Sequence, residues 1–174
     1  MPIFILTLRN PCPMFRTLVI GYGNVDRADD GVAYHVINGL RRRLEQDPLP
    51  EDETGLEALG AEVDTVFLLQ LTPELMEVVA GYGRIIFVDA HVAGDIEDLH
   101  CVPLSPQEDA SLTFTHHISP ALLLLLLRTL YHCQPDGYMV SIHGYDFDFQ
   151  RGLSDKTRAM IAPAVDHIMR LLAA

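Results

Sequence analysis

The sequence predicts a three-layer α/β fold, a largely parallel twisted five-stranded sheet with helices on both faces. Short apolar runs, each ending in a polar or glycine-rich turn, alternate with segments whose apolar residues recur at helical spacing. The run Arg84 to Ala90, RIIFVDA, sets four large apolar residues in a row, which suits a central parallel strand covered on both faces. The stretch Thr17 to Tyr34 gives the first strand–turn–helix unit, TLVI leading into Gly21-Tyr22-Gly23-Asn24 and then Asp29-Asp30-Gly31.

Taken in order, Thr17 to Ile20 begin strand one, and Gly21 and Gly23 allow the chain to turn sharply off its end. Asp29 or Asp30 is placed to cap the helix that follows. In that helix Val32, Val36, Ile37 and Leu40 repeat at helical spacing, and Arg41 to Arg43 put positive charge at its end, where the dipole favours it. Residues Asp47 to Gly60, with two prolines, two glycines and five acids, read as a solvated connection. A second strand is expected over Ala61 to Leu69. A short helix then opens on Thr72-Pro73-Glu74, with Thr72 as cap, and runs through Ala80.

After the central strand come a short strand near Leu99 to Val102 and a polar loop holding His116 and His117. Ser119 and Pro120 then lead into a helix over Ala121 to Leu130. Its six consecutive leucines are about half of what a bilayer span requires, so they predict a buried helix. Tyr138 to Ile142 reads as another strand. Ser154 caps a last helix running to about Leu172, with Pro163 as its kink point.

One domain over residues 16–174 is expected, preceded by an N-terminal extension, residues 1–15, that could reflect a start codon placed upstream of Met14. The chain of 174 residues carries 24 Asp and Glu against 12 Lys and Arg, a formal charge of -12. Such a surface disfavours nucleic acid as a partner, and no segment suits membrane insertion. Three cysteines, Cys12, Cys101 and Cys133, without CxxC spacing, read as reduced thiols of a cytoplasmic protein.

The first loop resembles a dinucleotide-binding turn only in part: Asp26 stands where a third glycine belongs, and Asp26, Asp29 and Asp30 would repel a phosphate. Acids at the carboxyl ends of strands suit a cation better. Asp30 after strand one and Asp89 at the end of the central strand are delivered to one edge, where ligand sites of open parallel sheets gather. With His116 or His117 they form two carboxylates and one imidazole, a donor set for zinc, nickel or iron rather than magnesium or calcium. His91 is a further candidate beside them, with an exposed loop position as its plainer reading. No Ser-His-Asp or Cys-His set is visible, and Ser119 has the ordinary task of capping a helix.

Taken as an ordered series, Gly21-Tyr22-Gly23-Asn24, Asp29-Asp30-Gly31, Gln70-Leu71-Thr72-Pro73-Glu74-Leu75, Phe87-Val88-Asp89-Ala90, His116-His117-Ile118-Ser119-Pro120 and Gly152-Leu153-Ser154 resemble the hydrogenase maturation endopeptidases. The resemblance implies an enzyme activator, a cytoplasmic endopeptidase of aspartyl-like character. It would remove a C-terminal peptide from the nickel-loaded large-subunit precursor of nickel-iron hydrogenase. Position by position it implies Asp30 and Asp89 as catalytic acids, and Asp30, Asp89 and His116 as the metal ligands. His116 is preferred to His117 by its spacing from Ile118. The implied metal is nickel delivered with the substrate, with zinc or cadmium able to substitute in vitro. Leu68-Leu69-Gln70-Leu71-Thr72-Pro73 stands where some members carry a D-G-G type segment, which sets this chain in a subgroup. A non-catalytic nickel chaperone or sensor of the same fold is the alternative.

Overall fold

The computed structural model describes residues 16–92, 94, 97–105 and 118–174. Five strands, β1 (Thr17–Tyr22), β2 (Val63–Leu68), β3 (Arg84–His91), β4 (Leu99–Leu104) and β5 (Asp136–His143), form one sheet in the order β2-β1-β3-β5-β4. Every neighbouring pair is parallel except β4 and β5. The helices are α1 (Val32–Arg43), α2 (Leu75–Val79), α3 (Pro120–Leu130), α4 (Asp155–Ala159) and α5 (Ile161–Ala173).

The sheet separates two cores. On one side Val19, Ile86 and Val140 pack with Val36, Ile37 and Leu40 of α1 and with Val165 and Ile168 of α5. On the other, Ile20, Ile85 and Phe87 meet Leu75 and Val79 of α2 and Leu123, Leu124 and Leu127 of α3. Successive strand side chains point to opposite faces, so a continuous apolar run such as Ile85 to Val88 feeds both cores. The leucine-rich segment is the buried helix expected of it. Among the described residues no helix is long and apolar enough to cross a membrane.

Several local expectations are corrected. Neither Asp29 nor Asp30 caps α1: both lie in a short 3-10 turn, Ala28–Gly31, and Gly31 occupies the cap. Residues 72–74 form a turn, and α2 starts later, behind Glu74. The last helix is two: Ser154 caps α4, its Oγ accepting from Thr157 N, and the break falls at Met160. Pro163 therefore sits in the first turn of α5, where a missing N–H costs little. Ser119 does cap α3, accepting from Leu122 N at 3.2 Å. Cys101 is a free thiol but Cys133 is disulfide-bonded, which corrects the reading of all three cysteines as reduced.

Candidate functional site

β1 lies between β2 and β3, and the two crossovers that reach those neighbours pass on opposite faces, α1 on one and α2 on the other. The crevice outside the carboxyl ends of β1 and β3 is thus the switch point of the sheet, where parallel folds place ligands. The register Gly21↔Val88 sets Tyr22, the last residue of β1, beside Asp89 near the end of β3.

Asp89 is partly buried. Its Oδ1 accepts from Ala90 N at 2.7 Å, and the Tyr22 hydroxyl also donates to it. Burial nonetheless pushes its carboxyl up to about 7, with the charge of Asp30 adding in the same direction, while those two hydrogen bonds pull the other way. The Tyr22 phenol is held well above its usual range by burial and by the neighbouring Asp89. Near neutral pH the crevice therefore holds a carboxyl poised between its two protonation states, next to a second acid.

Asp30 reaches that crevice because the first loop is folded back on itself. Its Oδ2 accepts from Asn24 N at 2.9 Å. Gly23 takes a φ of 140°, and a β-carbon there would stand 2.1 Å from the Asp30 carbonyl oxygen. Only glycine fits a turn this tight against Asp30.

The other loop acids serve the scaffold. Asp29 is 0% exposed and receives hydrogen bonds from Tyr145 N (2.8 Å), Asp146 N (3.0 Å), Ser154 N (2.7 Å), Ser154 Oγ (2.7 Å) and Thr157 Oγ1 (2.9 Å). Burial alone would raise its carboxyl, but these donors hold it below the ordinary range. Asp26 is turned to solvent and pairs with Arg151 Nε at 2.7 Å.

His91 is no exposed loop residue: it ends β3, half-buried and stacked on His143 with ring centroids 5.5 Å apart. Burial, then the neighbouring His143 and His100, lower its imidazole and favour the neutral ring. His143 is itself tied to Asp98, Nδ1 to Oδ1 at 3.1 Å, and the Tyr145 hydroxyl donates to the same oxygen at 2.6 Å.

Asp30, in the turn after β1, and Asp89, near the end of β3, lie at the same edge of the sheet, where the charge of Asp30 adds to the upward shift of the Asp89 carboxyl. His116 and His117 lie outside the described residues. Among the described residues no group of three or more His, Cys, Asp or Glu side chains is arranged to hold a metal ion. Two carboxylates with open positions are half of a cation site, and the donor chemistry fits a divalent ion that brings or finds an imidazole. Sequence reasoning did not single out Tyr22, although a tyrosine between two glycines at a strand end was visible. It also did not separate the roles of Asp29 and Asp30.

Fold and paired acids define an α/β protein with an acidic crevice at the switch point of a mostly parallel sheet. The fold itself, apart from the acids, is the one found in solved hydrogenase maturation endopeptidases. HybD from E. coli is 22% identical, covers 91% of this chain and 92% of its own, and superposes with a TM-score of 0.66. HybD from Thermococcus kodakarensis is 18% identical, with 90% and 99% covered and a TM-score of 0.58. HycI from the same organism is 15% identical, with 92% and 94% covered and a TM-score of 0.61. At these identities the likeness establishes the shared fold. No protein-family model matches the chain, and no curated protein matches it in sequence.

Proposed function

We propose that this chain is an endopeptidase that removes a C-terminal peptide from the nickel-loaded large-subunit precursor of a nickel-iron hydrogenase. The observation that carries the reading is the Asp30–Asp89 pair at the β1/β3 switch point, in a fold shared with proteins named for that activity. A buried acid beside a second acid is unfavourable in its ionised form unless a cation joins them. A metal-bearing substrate supplies that cation and displaces the proton from Asp89.

In this reading nickel is cargo of the substrate, held by Asp30, Asp89 and His116, and zinc or cadmium can take its place in vitro. Held by these residues, the ion would fix the end of the precursor over the two acids, and the chemistry that it would supply there is that of a Lewis acid. Tyr22 orients Asp89 and stabilises its ionised form through the hydroxyl. Two serines and the free cysteine of the described residues fit this division of labour. Ser119 and Ser154 are engaged as helix caps, and burial raises the Cys101 thiol above its usual range, away from the reactive thiolate. The formal charge of -12 fits a protein partner rather than nucleic acid, and a cytoplasmic site of action belongs to the same proposal.

The test is incubation of the purified protein with a nickel-loaded large-subunit precursor, followed by intact mass. The expected result is conversion of the precursor to a shorter form by the wild type and none by Asp30→Asn or Asp89→Asn. An unprocessed precursor together with tight nickel binding by the free protein would instead assign a metallochaperone. Wild-type rates from either variant would remove the site assignment.

A further inference from the structure

Five large apolar side chains stand exposed among the described residues, and four of them crowd the edge that carries Asp30 and Asp89. Leu69, 66% exposed, directly follows β2; Val92, 70% exposed, directly follows β3. Tyr145 and Phe149, 41% and 84% exposed, lie in the loop after β5. Only Leu130, at the end of α3, lies elsewhere. Exposed apolar residues scattered singly mean little, but large ones gathered on the rim of a candidate site mark a contact surface.

Two of the four are displayed by specific structure. Phe149 lies under the Arg27 guanidinium, 5.3 Å from ring centroid to Cζ, so its ring is held against the first loop. Leu69 forms a wall shared by two depressions. One, about 250 Å3, lies between the Gly23-to-Asp26 turn and the exposed acids Glu51, Asp52 and Glu53. The other, about 360 Å3, is apolar, with Leu56, Leu68, Leu75 and Val78 around it.

We propose that this edge is the docking face for a folded protein substrate of the Asp30–Asp89 site, with Leu69 and Phe149 as its apolar anchors. The inference rests on the peptidase reading above and extends it to how the substrate is held. Charge complementarity defines the occupant's chemistry: apolar contacts flanked by basic side chains, facing the exposed Asp52, Glu53 and Asp148, while Glu51 is already paired with Arg151. Width argues for a folded partner over a lone peptide. The exposed patch, from Leu69 after β2 to Tyr145 stacked on His143 at the end of β5, crosses the ends of β2, β1, β3 and β5, three strand spacings of about 4.8 Å, or roughly 14 Å. One extended segment covers a single such spacing.

The experiment is steady-state processing of the nickel-loaded precursor by wild type, Leu69→Asp, Phe149→Asp and the remote control Leu130→Asp, with thermal melts for each. Milder Leu69→Ser and Phe149→Ser variants are run beside them, in case a charge at either position disturbs folding. The expected result is a KM raised roughly tenfold or more by Leu69→Asp and Phe149→Asp, a smaller rise for the serine variants, kcat within about twofold, and Leu130→Asp equal to wild type. Wild-type KM in both anchor variants, a loss confined to kcat, or an equal effect from Leu130→Asp overturns the docking face alone. A wild type that leaves the precursor uncut overturns the peptidase reading, and the docking face with it.

Discussion

Asp29 and Asp30 are neighbours in the chain whose carboxylates serve different parts of the molecule. Asp29 is fully buried and ties the first loop to the segment 145–157, while Asp30 turns to the Asn24 amide and raises the carboxyl of Asp89. A short 3-10 turn makes this separation, because consecutive residues on it point about a third of a turn apart.

That division predicts opposite phenotypes. Asp29→Ala leaves several buried donors without an acceptor and is expected to destabilise the fold by about 3–5 kcal/mol. Asp30→Asn keeps an oxygen that can accept from Asn24 N, so its stability stays within about 0.5 kcal/mol while processing is lost. Urea denaturation and the precursor assay, run on both variants, check the pair.

The pH dependence of stability follows from the same carboxylates. Asp29 and Asp64 both sit below the ordinary carboxylate range: burial opposes this, but hydrogen bonds from Ser154, Tyr145 and Thr157 in one case, and from Tyr82, Ala61, Gly60 and Arg16 in the other, overcome it. Their stabilisation is present above the unfolded value near 3.8 and is lost as pH falls through their lower folded values. Asp89 has the opposite sign. Its carboxyl, raised from 3.8 to about 7, favours the fold below about pH 4 and loses that contribution as pH climbs through 7. Asp89→Asn is therefore expected to raise Tm by several degrees at pH 8 and to change it little at pH 4, read by calorimetry of the metal-free protein at both pH values.

Tyr22→Phe removes the hydroxyl that donates to Asp89 and lowers its carboxyl. The Asp89 carboxyl rises further in this variant, and the acidic limb of the processing rate moves to higher pH. A pH–rate profile shifted upward relative to wild type, with a rate at pH 7 reduced about tenfold, is the expected outcome.

Gly23→Ala sets a β-carbon against the Asp30 carbonyl in a backbone conformation alanine rarely adopts. The loop must open to relieve it, so Asp30 leaves the crevice. Loss of processing is expected with a destabilisation of about 1–3 kcal/mol, checked by denaturation beside the precursor assay. Gly60→Ala, at another positive-φ glycine with open space around it, serves as control and keeps full activity.

The sequence by itself determined the α/β class, the places of all five strands, the buried leucine helix, and the arrival of Asp30 and Asp89 at strand ends. Apolar periodicity and turn residues are local signals, and these features depend on little else. Strand order, the antiparallel β4 and the division of the final helix at Met160 were settled only by the folded chain, because pairing partners are chosen by contacts distant in sequence. The same is true of the two adjacent aspartates. Which of them is consumed by buried donors depends on residues 116 to 128 positions away, Tyr145 to Thr157, and on the Tyr22–Asp89 neighbourhood that strand register alone creates.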